Sequence, residues 1–283
     1  MVKKKVSGEK TFSEKIAIII GGSKGIGKAI AKKITELGGS ACIIARGLED
    51  LKKTSQELKE LKNDQNQFIE IISCDTSDMN KLKPLMMEFI KKRRLPDYLI
   101  NVVGDNYPGY IQDLELEHFE KVLNSNYYAQ LVPTLILLPH FMKAKQGHIA
   151  FVSSVAAYIG MIGNATYTPS KAAVVGLAEV LRNELIPYNV KISILYPPDT
   201  DTPLLKRADK IRPKEQFIIS EKGGLLSPEE VAEEFINGLL KEKFEIFPGK
   251  AGFVNKMYRL FPNLVRSIID KDYMKARKKL GKE

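Results

Sequence analysis

The sequence predicts an α/β protein built on a single doubly wound parallel sheet of about seven strands, Rossmann-type, with helices on both faces. Three observations carry that prediction. Short, near-continuous apolar runs recur along the chain, as strands buried on both faces require. Longer stretches with helical spacing separate them. The first apolar run ends in "GGSKGIG", a glycine-rich turn that opens directly into a helical stretch.

The elements follow in order. "KIAIII" (15–20) reads as the first strand and "GIGKAIAKKITELG" as the first helix. "SACIIAR" (40–46) is the second strand, followed by the helical "LEDLKKTSQELKELK". "FIEIIS" (68–73), "DYLINVV" (97–103), "GHIAFVSS" (147–154) and "VKISILY" (190–196) repeat the pattern, and "KFEIFPG" (243–249) reads as a short last strand. "SPEE" (227–230) marks a helix start, with Ser227 as N-cap, Pro228 in the first position and Glu230 closing a capping box. No repeat or linker divides residues 10–249, which are expected to form one domain. Residues 250–283 read as a basic, amphipathic helical extension, interrupted at Pro262.

Composition narrows the function classes. With 44% hydrophobic and 28% charged residues among 283, the chain reads as an ordinary globular protein. Its net charge of +10 sits at the ends: residues 1–15 hold five Lys against two Glu, and residues 241–283 hold twelve Lys or Arg against five acids. A neutral body argues against nucleic-acid binding, and basic ends suit an anionic membrane surface or simple solubility. "LVPTLILLPHF" (131–141) is the most apolar run, but it is short of the roughly 20 residues a span needs. A cytoplasmic protein, with the basic tail able to rest on a membrane's cytosolic face, is the expectation. Cys42 and Cys74 lie in apolar runs and read as buried thiols, and the scattered His118, His140 and His148 offer no metal-ligand spacing.

The glycine turn points to a dinucleotide. Gly21, Gly25 and Gly27, with Ser23, Lys24 and Ile26 among them, stand where a strand–helix junction binds pyrophosphate against helix N–H groups. The second strand ends "IIARG" with no acid before Glu49, so nothing there is placed to hold a ribose 2′-hydroxyl. Arg46 and Lys24 instead favour a 2′-phosphate, hence NADP. Asp75, at the end of the third strand, is positioned to accept a bond from an adenine amino group or to cap the next helix.

The catalytic candidates come from "FVSSVAAYIGMIGNATYTPSKAAVVGLAEVL". Tyr167 and Lys171 share a helix face, Ser154 ends the fifth strand thirteen residues before Tyr167, and Asn126 lies in the preceding long helix. A free tyrosine titrates near ~10, and a nearby ammonium lowers that value toward useful proton exchange.

Taken together, "GGSKGIG", "NVVG" (101–104), "NSNYY" (124–128), "VSS" (152–154) and "YTPSK" (167–171) resemble the short-chain dehydrogenase/reductase family over roughly residues 14–203. The resemblance implies Tyr167 as proton donor to a carbonyl, with Ser154 polarising that carbonyl. It implies Lys171 on the nicotinamide ribose, depressing the Tyr167 pKa, and Asn126 anchoring a relay water. Asn101 and Gly104 would line the cofactor, and no metal is required. Pro197 and Thr202, in "YPPDTDTP" (196–203), would lie over the nicotinamide, with Leu204 and Leu205 beginning an apolar lid. Departures from the family pattern are Ile20 before the glycine turn, Val103 in "NVVG", Tyr128 after Asn126, and Pro169 inside "YTPSK". Pro169 is tolerable only if a helix is just starting there.

"YPPDTDTP", with "LIPYNVKISIL" before it, resembles the branch of that family acting on 3-ketodihydrosphingosine, which implies a hydrophobic long-chain ketone substrate reduced with NADPH. A 3-oxoacyl thioester or another hydrophobic ketone stays open, as does a non-catalytic NADPH-binding interaction protein, whose mark would be loss of Ser154, Tyr167 or Lys171. Pairing through the two long helices, about 115–143 and 166–187, implies a homodimer or homotetramer.

Overall fold

A computed structural model describes residues 11–220 and 223–282. The lysines between residues 1 and 10, on which part of the charge reading rests, lie outside the described residues. Seven strands form one sheet: β1 (Ile16–Ile20), β2 (Ser40–Ala45), β3 (Ile69–Ser73), β4 (Tyr98–Asn101), β5 (His148–Val152), β6 (Lys191–Leu195) and β7 (Glu245–Ile246). All pairings are parallel, in the order β3-β2-β1-β4-β5-β6-β7. The order reverses between β1 and β4, and a crevice opens there at the carboxyl ends of the strands.

Alternation explains why the strands read as unbroken apolar runs. Ile16, Ile18 and Ile20 of β1 enter one core, while Ala17 and Ile19 enter the other. The first core is covered by α3 (Met79–Lys92), α5 (Ala129–Ala144) and α6 (Tyr167–Glu184), through residues such as Phe89, Phe141 and Val174. The second is covered by α1 (Gly25–Glu36), α2 (Leu48–Glu60) and α9 (Pro228–Leu240), through Ile30, Leu58 and Phe235. The capping box read at Ser227 and Glu230 is present, and Cys42 and Cys74 are buried free thiols.

Between β4 and α5 the chain forms α4 (Leu116–Leu123) and one π-helical turn, Asn124–Tyr128. Pro133, inside α5, has no N–H to offer the carbonyl of Ala129. Thr76 Oγ1 donates to that carbonyl instead, at 3.1 Å. Pro169 falls in the first turn of α6, where backbone N–H groups have no intrahelical partner in any case.

After β6 come two short helices, α7 (Pro203–Ala208) and α8 (Lys214–Ser220). The C-terminal extension folds as α10 (Ala251–Leu260) and α11 (Pro262–Lys279), broken at Pro262 as the sequence predicts. Tyr258 of α10 packs on Tyr158, with ring centroids 5.8 Å apart. The segment after α11 returns to α8: Lys282 Nζ lies 3.0 Å from Glu215 Oε1, and the Tyr110 hydroxyl donates to Glu215 Oε2 at 2.6 Å. Burial pushes the Glu215 carboxyl up, but the bonds from Tyr110 and Lys282 outweigh it and hold the pKa below its ordinary value. Phe253, Leu260, Phe261, Leu264 and Ile268 remain exposed. The extension therefore packs against α8 and still presents an apolar surface. None of the described helices is long and apolar enough to cross a membrane.

Candidate active site

The cleft at the β1/β4 reversal is floored by the glycine turn. Gly21 has φ +81°, and a Cβ there would lie 2.9 Å from the backbone nitrogen of Val103. A Cβ on Gly27 would lie 2.3 Å from the carbonyl oxygen of Gly21. Both positions therefore require glycine for the turn to close. Lys24 stands at the N-cap of α1 without a side-chain cap, and Gly25, Ile26 and Gly27 line the cleft beside Ser23. An uncapped helix start behind a glycine cradle fits a pyrophosphate-bearing dinucleotide.

At one end of the cleft Arg46 is exposed and has no ion pair among the described residues. The Lys24 ammonium lies 2.7 Å from Asp50 Oδ2. Asp50 stands in the first turn of α2, where the fold turns it toward the start of α1. Asp75 also lines this end, and its Oδ1 accepts from the backbone N–H and hydroxyl of Ser77. The cap of α3 is Asp78, so Asp75 is not needed for that task.

At the other end, Asn101 is set back. It is fully buried at the end of β4, with Nδ2 3.4 Å from Thr134 Oγ1, and Val102, Val103 and Gly104 line the cleft in its place. The reason is pleat: the side chain of the last strand residue points into the core. A Cβ on Gly104 would lie 3.1 Å from both Asn126 Oδ1 and Lys171 Nζ, so this glycine permits their close approach. Asn126, on the π-helical turn, uses its side chain on protein. Oδ1 accepts from Asp105 N at 2.6 Å, and Nδ2 donates to the Asp105 carbonyl at 3.0 Å and to Ser170 Oγ at 2.8 Å. It ties the loop after β4 to α6.

The structure brings Ser154, Tyr167 and Lys171 together. Ser154 ends β5's extension as the cap of a short 3-10 turn and hydrogen-bonds the Tyr167 phenol. Lys171 Nζ donates to the Val152 carbonyl at 3.0 Å and lies 5.7 Å from the Tyr167 ring centroid. Ser170 Oγ donates to the Tyr167 carbonyl at 2.7 Å, and Ser153 Oγ to the Lys171 carbonyl at 2.9 Å. The Tyr167 side chain is half-buried. Burial pushes its phenol up to about 12, the Ser154 bond opposes that, and the Asp199 charge adds to it. Lys171 is itself pulled down to about 7 by burial, so the low-dielectric site costs both charged forms.

Pro197 and Thr202 line the cleft as expected. The Pro197 carbonyl accepts from Val155 N at 3.3 Å, and Thr202 Oγ1 caps α7 by accepting from Leu205 N. Sequence reasoning missed Arg207, which reaches from α7 across the cleft to Asp105 Oδ1 at 3.0 Å. It also missed Asp50, Ser153 and Ser170. No local signal marks any of them.

A dinucleotide cradle beside a half-buried tyrosine and a buried lysine is the arrangement of an oxidoreductase acting on a carbonyl–alcohol pair with a nicotinamide cofactor. The profile of the family described as short chain dehydrogenase matches residues 15–212, and the chain belongs to that family. It is similar to the 3-dehydrosphinganine reductase of Danio rerio, 33% identical over 238 residues, covering 84% of this chain and 72% of the relative. It is also similar to the 3-ketodihydrosphingosine reductase of Dictyostelium discoideum, 35% identical, covering 87% and 78% of the two chains. Among solved structures, a 3-oxoacyl-[acyl-carrier protein] reductase from Brucella melitensis with bound NAD shares the fold, with a TM-score of 0.72 at 22% identity and coverage of 87% and 94%.

Proposed function

We propose that the protein reduces 3-ketodihydrosphingosine to dihydrosphingosine, using NADPH. The observation that supports this most is the similarity to two reductases of that name over more than four-fifths of the chain, joined to a complete Ser154–Tyr167–Lys171 cluster. A nicotinamide held in this cradle would supply hydride chemistry. Tyr167 gives its proton to the carbonyl oxygen, and Ser154 holds that oxygen in line. Lys171 binds the ribose hydroxyls and carries charge toward the phenol. Asn126 and Ser170 position α6 against the loop after β4. A proton donor works best with a pKa near the operating pH, so positive charge at Lys171 would serve to bring the Tyr167 phenol down.

Arg46, exposed at the adenosine end, and Lys24 favour the 2′-phosphate of NADPH over NADH. The apolar residues exposed on α10 and α11, interleaved with Lys256, Arg259, Arg266 and Lys271, suit peripheral contact with an anionic membrane. The protein then works on the cytosolic face, where a long-chain ketone is held. Tyr128, Leu135 and Val180 are exposed on the π-helical turn, α5 and α6, which supports pairing into a dimer or tetramer through those helices.

The test is NADPH oxidation with 3-ketodihydrosphingosine, beside an acetoacetyl thioester and beside NADH. Turnover of the sphingoid ketone is expected, falling on the order of 100-fold or more in Tyr167→Phe with cofactor binding retained. Turnover of the thioester alone would move the enzyme to acyl-thioester chemistry.

A further inference from the structure

Asp199 is a carboxylate that the reduction itself does not need. It lies two residues beyond Pro197, on a loop that the fold holds rigidly. The Pro197 carbonyl accepts from Val155 N, Thr200 Oγ1 donates to the Pro198 carbonyl at 2.9 Å, and Leu226 N donates to the Asp199 carbonyl at 3.1 Å. Asp201 N donates back to the Leu226 carbonyl at 2.9 Å. Pro197 and Pro198 stiffen the approach. The loop therefore presents the Asp199 side chain, 42% exposed, in a set place beside the segment that follows Ser154.

Its neighbours leave it short of positive charge. Three other aspartates of this region have close cations: Asp105 has Arg207 at 3.0 Å, Asp201 has Lys206 at 2.7 Å, and Asp209 has Arg212 at 3.1 Å. Among the described residues Asp199 has only Arg212, at 3.9 Å, and that guanidinium is already engaged with Asp209 and with Ser220 Oγ at 2.9 Å. The Asp199 charge also opposes ionisation of Tyr167, a cost to the proton donor. Burial raises the Asp199 carboxyl, Arg212 opposes that, and Asp209 adds to it. A cation bound at Asp199 would offset its charge, both at the carboxylate and toward Tyr167.

We propose that Asp199 is a specificity residue that binds the ammonium group of a 2-amino-3-ketone substrate, so that the site selects amino ketones over neutral ketones. The inference rests on the substrate reading above and deepens it. In 3-ketodihydrosphingosine the amine stands on the carbon next to the carbonyl, two bonds from the carbon that is reduced. The loop that carries Asp199 is bonded, through the Pro197 carbonyl, to Val155, the residue after the Ser154 that would hold the ketone oxygen. A 3-oxoacyl thioester carries no such cation.

The test compares kcat/KM for 3-ketodihydrosphingosine, its N-acetyl derivative and the 1-hydroxy-3-ketone of the same chain length, in the wild type, Asp199→Asn and Asp199→Glu. The wild type is expected to favour the free amine by about tenfold or more, the worth of one charge-assisted bond. The Asn variant should lose that ratio, and the Glu variant should keep part of it. The ratio within each protein is the readout, which a general loss of folding would not move. An unchanged ratio in Asp199→Asn overturns the assignment. So does a wild type that reduces all three ketones alike, and in that case ketone reduction stands. If the wild type reduces only an acetoacetyl thioester, the substrate reading falls and the amine site falls with it.

Discussion

The ammonium of Lys24 lies 2.7 Å from the carboxylate of Asp50, at the mouth of the dinucleotide cleft. The pair is about half exposed on both sides, and such pairs contribute only about 0–1 kcal/mol. A 2′-phosphate can therefore draw Lys24 away at small cost, and Asp50 would repel that phosphate.

Three variants follow from this relationship. Arg46→Ala and Lys24→Ala are each expected to raise the KM for NADPH about tenfold, the worth of one charge-assisted bond, and to change the KM for NADH little. Asp50→Asn should shift preference further toward NADPH. Steady-state kinetics with both cofactors reads all three, and equal effects on NADH and NADPH would refute the phosphate-binding role.

Gly27→Ala places a methyl group 2.3 Å from the Gly21 carbonyl oxygen, and both sides of that contact are backbone. Neither can yield without opening the turn. Cofactor binding should be lost, with a destabilisation of about 1–3 kcal/mol from forced overpacking. Fluorescence titration with NADPH and thermal unfolding check the two effects separately.

His148 predicts an acid-side loss of stability. Burial pulls its pKa down to about 4, Glu242 opposing and Lys191 assisting, while Nε2 sits 2.8 Å from Ser193 Oγ. The unfolded chain binds this proton near pH ~6.5, so it takes up more protons than the folded chain between those values. The stabilisation is complete above the unfolded pKa and is lost as pH falls toward the folded one, by up to about 3 kcal/mol. Denaturant unfolding between these limits should show that slope, and His148→Gln should flatten it.

The surface of α10 and α11 gives the fourth prediction. Leu264→Asp combined with Phe261→Asp should abolish co-sedimentation with phosphatidylserine-containing vesicles, and raised salt should weaken the wild type's binding. Binding that survives both changes would remove the membrane role from this extension.

Much of the fold was legible because its signals are local. Unbroken apolar runs such as "IAIII" and its counterparts mark strands buried on both faces, and Ser227 and Pro228 mark a helix start within four residues. Tyr167 and Lys171 declare their shared face through helical spacing alone. The glycines of "GGSKGIG" announce a close backbone approach whatever surrounds them.

Tertiary structure decided what depends on distant partners. Asp50 meets Lys24 only because α2 docks beside α1, and Arg207 meets Asp105 across 102 residues of chain. The set-back of Asn101 follows from which way the last pleat of β4 turns. The sequence determined which groups line up along each helix and strand, since that is set by backbone geometry over a few residues. The fold decided how those groups are charged, because the pKa of Tyr167 and of Lys171 follows from burial by segments far away in the chain.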